Sequence, residues 1–370
     1  MKSIYMDNAA STKVNPHVLA KFNEIAEIYY ANPSSIHTAG LNAMNIISDT
    51  KDIIASKLSC KQDEIFFTSG ATMSNNILIQ GVLRKRPETM FITSCVEHND
   101  IMELYDWLPY SKCMCNVYTD GIINTDSLYE TLSMCRANLQ PFLVSVQMAN
   151  SETGVIQPIK FIGDIVHKLG GYLHVDATQY IPYYPIDMEK MNIDALSMSG
   201  QKIGGLKGSG LLVVRQTLQD KITPIIFGEQ GLVGGTYPTP LIASLGEAFK
   251  NINYDITELK HKTDILKESL TELGGQLVGS TDSRLPNNIY IRFPGISGLT
   301  LQSLLNDQNI YIGTGSACSS DSDKPSHVAL AYGLTDKEAL ECVRFTLSNE
   351  NTYEEIKYVT KVLRAILELI

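Results

Sequence analysis

Apolar residues recur at helical spacing over Pro16–Tyr30, Leu41–Leu58, Ser74–Leu83, Ile159–Leu169 and Leu241–Leu273, and again from Tyr353 to the C-terminus. Apolar positions three or four apart share one face of a helix, so these stretches predict amphipathic helices. Between them lie short apolar and β-branched runs: EIFFT (64–68), MFITS (90–94), FLVSVQM (142–148), YLHVDA (172–177), DALSMS (194–199) and GLLVV (210–214). Strands alternating with helices predict an α/β fold, a largely parallel sheet with helices on both faces. Near Phe249 the texture changes. A long amphipathic helix is followed by NNIYIRF (287–293), a helix over Thr300–Leu305, and NIYIGTG (309–315), which predicts a smaller α+β domain.

At 370 residues the chain has room for two or three domains. Its 44% hydrophobic and 19% charged residues are those of an ordinary globular protein. The net charge of −10, without a long basic run, argues against nucleic acid or an anionic membrane as partner. The N-terminus MKSIYMDNAASTK lacks a signal-peptide core, and no apolar run approaches the length of a membrane span. Seven scattered cysteines (60, 95, 113, 115, 135, 318 and 342) make a disulfide framework improbable and fit a reducing cytoplasm. Cys113-Met-Cys115 lacks zinc-knuckle spacing and reads as an ordinary strand or loop feature, and no metal site is expected.

In open α/β sheets ligands bind at the carboxyl ends of strands, so the residues just after the apolar runs hold the chemistry. After EIFF comes Thr68-Ser-Gly-Ala71-Thr72-Met-Ser-Asn-Asn76 leading into a helix, which suits a phosphate or simply a capped turn. After MFITS comes His98, where a structural histidine is the competing reading. Asn150-Ser-Glu-Thr-Gly154 follows FLVSVQM, either as a polar site or as an Asx-type turn. Asp176 and Gln179 follow YLHV, and Ser199-Gly-Gln201-Lys202 follows DALSM. An acid at the end of an apolar strand needs a partner. Consecutive strands are often neighbours, so Asp176 and Lys202 are expected to face one cleft, as site residues or as a structural pair. Gly204, Gly205, Gly208 and Gly210 favour a site, because glycine lets backbone approach a ligand closely.

Two nucleotide motifs fail on spacing. Gly200 and Gly205 match a phosphate-loop pattern, but Leu206 stands where its lysine belongs. Gly208-Ser-Gly210 leads into a strand rather than a helix, so no dinucleotide fingerprint forms. A lysine, an acid, a phosphate cradle, a histidine and a polar asparagine remain. These are the parts pyridoxal phosphate requires. Towards the C-terminus, Cys318 sits in a Gly/Ser/Asp-rich segment, GTGSACSSDSDKP, expected to be exposed and mobile. Arg344, within VRFTL, suits bidentate capture of a carboxylate or a packed surface position.

These residues, in this order, resemble the cysteine desulfurases among the class V, fold-type I pyridoxal-phosphate enzymes, of the iron–sulfur-cluster and nitrogen-fixation type. The match runs almost end to end, through YMDNAAST, NPSSIHTAG, TSGATMSNN, VEHN, ANSETGVIQP, HVDATQ, SGQKIGGLKGSG, GSACSS and VRFTL. The resemblance implies a large cofactor-binding domain (12–248) with a mostly parallel seven-stranded sheet. It also implies a small α+β domain (1–11 and 249–370) carrying Cys318, and a homodimer. It gives Lys202 the Schiff base, Asp176 the pyridine nitrogen, and Gln179 and Asn150 the ring hydroxyl. His98 would stack on the ring and move protons. Ala71, Thr72, Ser199 and Gln201 would hold the phosphate, with Thr236 from a second subunit. Arg344, with Asn150, would bind the substrate carboxylate.

The implied reaction converts L-cysteine to L-alanine, leaving a persulfide on Cys318. The sulfur then passes to an acceptor or scaffold protein for iron–sulfur cluster assembly or thio-modification. The chain also departs from the family. Gln201 replaces the histidine usual before the lysine, and Gln230 and Val233 replace two basic residues. Glutamine donates hydrogen bonds but carries no charge. These losses motivate two alternatives: a divergent pyridoxal-phosphate lyase or aminotransferase acting on another amino acid, and a weakly catalytic sulfur-relay scaffold.

Overall fold

The structure, a computed structural model, describes residues 3–228, 231–315 and 324–369. Gln230 and Cys318 lie outside the described residues. The strands are β1 (Ile4–Tyr5), β2 (Ile65–Thr68), β3 (Met90–Ser94), β4 (Lys112–Cys115), β5 (Phe142–Gln147), β6 (Tyr172–Asp176), β7 (Ala195–Ser199), β8 (Gly210–Val214), β9 (Gln276–Leu277), β10 (Asn288–Arg292), β11 (Ile310–Tyr311) and β12 (Cys342–Thr346). The helices are α1 (Pro16–Ile28), α2 (Thr38–Leu58), α3 (Ala71–Lys85), α4 (Asn99–Trp107), α5 (Thr125–Ala137), α6 (Ile159–Leu169), α7 (Gln216–Gln219), α8 (Thr239–Lys250), α9 (Thr257–Glu272), α10 (Gly298–Asn306), α11 (His327–Ala331), α12 (Asp336–Ala339) and α13 (Tyr353–Leu367).

Seven strands form the central sheet in the order β2-β8-β7-β6-β5-β3-β4. Only β8 runs against its neighbours, pairing antiparallel with both β2 and β7. The chain has the mostly parallel α/β architecture that the alternating pattern predicts. Both faces are covered, and β8 shows how. Leu211 and Val213 enter one hydrophobic core, while Leu212 and Val214 enter the core on the other face. A strand buried on both sides loses polar–apolar alternation, which is why GLLVV reads as a continuous apolar run. Burying each of these side chains contributes roughly 1.5–3 kcal/mol.

A separate core gathers Ile4 and Met6 of the N-terminal segment with residues of α9, β10, α10, β12 and α13. Here β12, β10 and β9 form an antiparallel sheet, with Tyr290 opposite Arg344, and β1 pairs parallel with β11. The expected single helix over Leu241–Leu273 is two helices. Asn253 Oδ1 accepts from the Asp255 amide (3.0 Å) and Asp255 Oδ1 from that of Thr257 (3.1 Å). These short side chains compete for the backbone groups a continuous helix needs. Cys113 and Cys115 lie in the edge strand β4.

Candidate active site

The carboxyl ends of β2, β3, β5, β6 and β7 converge on one cavity of about 170 Å³. It is lined by Ala71, Thr72, His98, Asp176, Gln179, Ser199, Gln201, Lys202 and Arg344, all expected from the sequence. Ala9, Ala10, Asp100, Gln147, Ala149, Ser151 and Thr178 complete the wall. Lys202 ends a short helical turn over Gly200–Lys202, directly after β7. Its Nζ donates to the carbonyls of Ala9 and Ala10, both at 2.6 Å. Gln179 Nε2 donates to the same Ala9 carbonyl (3.0 Å). The N-terminal segment is bound to the lysine turn itself, because Thr12 Oγ1 donates to the Gln201 carbonyl (2.7 Å) and accepts from the Gly204 amide (3.1 Å).

Asp176 is buried at the end of β6, where burial raises its carboxyl above the usual range and the nearby Asp100 charge raises it further. It accepts from the Thr178 amide (2.9 Å) and from Asn75 Nδ2 (3.2 Å). The same Asn75 nitrogen donates to Asp100 Oδ2 (3.1 Å). Asp100 Oδ1 lies 2.8 Å from Nδ1 of His98, the residue that caps α4. Burial alone would raise Asp100, but the bond and charge of His98, together with Asn75, outweigh it and hold the carboxyl below its usual value. The close approach of Asp100 Oδ1 to Nδ1 fixes the orientation of the His98 ring at the edge of the cavity.

Two buried titratable groups support this floor. Glu97 accepts from Ser94 Oγ and from the Gln147 amide, and burial pushes its carboxyl up to about 8. His174 stands between the hydroxyls of Ser145 (2.8 Å) and Ser197 (2.9 Å), and burial holds it down at about 3. His174 is therefore neutral.

At the start of α3, Gly70 provides no side-chain cap, so the helix end presents backbone donors and the positive end of its dipole. Ser199 Oγ accepts from the Ala71 amide (2.8 Å) and ties the end of β7 to this turn. Two of the glycines after Lys202, Gly205 and Gly210, pack backbone against backbone. A Cβ on Gly210 would lie 2.5 Å from Gly70 Cα, and one on Gly205 would lie 2.6 Å from the Gly200 carbonyl. An uncapped helix end flanked by hydroxyls, a buried carboxylate and a lysine amine in one cavity form a donor set that fits pyridoxal phosphate.

Arg344, in the middle of β12, is 1% exposed and borders both this cavity and a larger one of about 450 Å³. The larger cavity is also lined by Asp7, Glu152, Gly313, Ser326, His327 and Cys342. Thr236 lies elsewhere, on a third cavity of about 220 Å³ with Phe67, Tyr237 and Val233.

Asn150, expected from the sequence to reach the ring hydroxyl and the substrate carboxylate, also organises its own turn. Its Oδ1 accepts from the amides of Glu152 (2.9 Å) and Thr153 (2.8 Å), and its Nδ2 donates to the Val96 carbonyl (2.9 Å). Asn150 builds the turn, and the turn presents Ser151 to the cavity. Asn75, Asp100 and Asp7 were not singled out from the sequence. The only signal for Asp100 is its place two residues after His98.

Among the described residues, no group of three or more His, Cys, Asp or Glu side chains could hold a metal. Likewise, no helix among them is long and apolar enough to cross a membrane. The family model for class-V aminotransferases matches residues 4–359. The chain is 34% identical to the cysteine desulfurase IscS of Methanosarcina thermophila, over 99% of this chain and 92% of the relative. It is 35% identical to the mitochondrial cysteine desulfurase of Saccharomyces cerevisiae, over 98% of this chain and 74% of the relative. A solved NifS-like protein superposes with a TM-score of 0.90 at 30% identity, all of both chains being covered. SspA in complex with cysteine superposes with a TM-score of 0.83 at 32% identity, covering 93% of this chain and 99% of the other.

Proposed function

The chain belongs to the class-V aminotransferase family, and on that premise we infer that it is a cysteine desulfurase, forming L-alanine from L-cysteine with transfer of the sulfur to an enzyme thiol. The observation that carries the reading is the convergence of Lys202, Asp176 and Arg344 on one cavity. Pyridoxal phosphate, when bound, supplies an electron sink for the pair left at the substrate Cα after proton loss.

The chain's own residues supply the rest. Thr72, Ser199 and Gln201, at the open end of α3, hold the phosphate. Asp176, destabilised as a buried carboxylate, gains a cationic partner in the protonated ring nitrogen. Lys202 tethers the cofactor and moves the proton at Cα, while His98, its Nδ1 held by Asp100, carries protons on the opposite wall. Arg344 binds the substrate carboxylate. The Cys318 thiolate forms a bond to the substrate sulfur as the carbon–sulfur bond breaks, its electron pair staying with carbon. Protonation of that carbon and return of a proton to Cα complete alanine and leave the persulfide on Cys318.

The gathering of Ile4, Met6 and residues beyond 249 around one core supports a small domain of residues 1–11 and 249–370 beside a large one of 12–248. Thr236, away from the cavity of its own chain, is read as a donor to the second subunit of a homodimer. The exposed Ile36 (94%) and Phe227 (79%) suit burial in such a pairing. A cytoplasmic enzyme handing sulfur to an acceptor protein is the fuller reading. Gln201, Gln230 and Val233, which stand where the family carries a histidine and two basic residues, favour a second reading: a lyase or aminotransferase acting on another amino acid. Alanine release from L-cysteine in the presence of a reductant tests the two. Turnover of L-cysteine that depends on Cys318 supports the desulfurase, and turnover of another amino acid in its place supports the second reading.

A further inference from the structure

Arg344 is the largest fully buried side chain, and a guanidinium removed from water needs partners fixed in place. Its Nη2 donates to Asp7 Oδ1 at 2.6 Å and its Nη1 to the Ser151 carbonyl at 2.9 Å. These bonds use one N–H on each terminal nitrogen and leave the second N–H of each for a fork onto a carboxylate. The pair sits against Gly313, where a Cβ would come within 2.8 Å of Arg344 Nη2 and 2.9 Å of Asp7 Oδ1. Gly313 and Arg344 also exchange backbone hydrogen bonds (2.7 and 3.0 Å). Asp7 is held in turn by its bridge to Thr346 and by Tyr5 Oη, which donates to the Asp7 carbonyl (3.0 Å). Two residues further on, the same segment grips Lys202 through Ala9 and Ala10.

We propose that Asp7 is a positioning residue for carboxylate capture. It fixes the guanidinium of Arg344 from the same four-residue segment, 7–10, that holds the Lys202 amine. The separation between the carboxylate anchor and the group acting at Cα is thereby set by one short piece of backbone. The inference rests on the reading above in that an α-amino acid is the ligand.

The test uses holoenzyme carrying Asp7→Ala or Asp7→Asn. Three quantities are measured: calorimetric affinity for the product-like ligand L-alanine, kcat and KM with L-cysteine, and cofactor affinity by absorbance titration. In Asp7→Ala, L-alanine binding weakens and KM rises, each by about tenfold or more, while kcat moves by less than about threefold. Asp7→Asn, which keeps an acceptor oxygen in the same shape, shows a smaller loss and carries the test should the alanine variant not fold. Cofactor affinity stays within about twofold. Unchanged L-alanine affinity in both variants overturns the proposal, as does a loss in which cofactor affinity and kcat fall as far as KM rises. A wild-type protein that binds L-alanine through Asp7 but forms none from L-cysteine would sink the desulfurase reading and leave the role of Asp7 standing.

Discussion

Asp100, in the first turn of α4, and Asp176, at the end of β6, are joined by one nitrogen: Asn75 Nδ2 lies 3.1 Å from the first carboxylate and 3.2 Å from the second. Asn75 is fully buried within α3, so a single amide stands between two like charges that would otherwise repel. Asn75→Ala removes that donor and is expected to destabilise the fold by about 1–3 kcal/mol, the cost of unsatisfied buried acceptors. Chemical denaturation measures the loss, and cofactor titration of the same variant should show weaker binding, because the orientation of Asp176 depends on Asn75.

Glu97 gives the stability a defined pH dependence. Its folded carboxyl, at about 8, lies above the usual carboxylate value, so between roughly pH 4.5 and 8 the folded state holds a proton that the unfolded chain has released. Stability from this group is therefore present at low pH and is lost as pH rises through that window. Glu97→Gln, which does not titrate, should gain stability relative to wild type as pH is raised from about 5 to 8. Thermal unfolding across that range checks it. Parallel curves for the two proteins would contradict it.

The turn after β5 separates a structural residue from a site residue one position away. Asn150→Ala frees the Glu152 and Thr153 amides and removes one of two donors to the Val96 carbonyl, and is expected to cost about 1–3 kcal/mol of stability. Ser151→Ala leaves those bonds intact. It should keep wild-type stability within about 0.5 kcal/mol while altering KM, because the residue lines the cavity beside Arg344. Paired denaturation and kinetics distinguish the two.

Gln201 lines the cavity beside Lys202 without adding charge to it. Gln201→His introduces a ring that can be protonated near a phosphate dianion. It should tighten cofactor binding by about three- to tenfold, more at pH 6 than at pH 8. Absorbance titration of apoprotein at the two pH values reads this out. Equal affinities in variant and wild type would place Gln201 away from the phosphate.

Much of the site was legible because its residues terminate buried strands. Asp176 and Lys202 each follow an apolar run, where the pattern stops abruptly at a group too polar for the core. The residues that hold them were not legible in the same way. Asn75 lies inside a helix and Asp7 in an irregular N-terminal segment, where polar residues ordinarily face water. Only the tertiary fold, which buries residue 75 and brings half-buried residue 7 to residue 344, shows them to be partners of the site. The division of the helix after α8 lay in Asn253 and Asp255, whose side chains compete locally with helical hydrogen bonds.

Sulfur is expected to leave L-cysteine through the Cys318 thiol, with Lys202, Asp176 and Arg344 organising the site. The most direct measurement compares wild type with Cys318→Ala, each incubated with L-cysteine, by intact-protein mass and alanine release. Wild type is expected to gain the mass of one sulfur atom and, with a reductant, to release alanine over many turnovers. Cys318→Ala should gain none and release alanine at least about a hundredfold more slowly. Equal alanine release from the two proteins would contradict it.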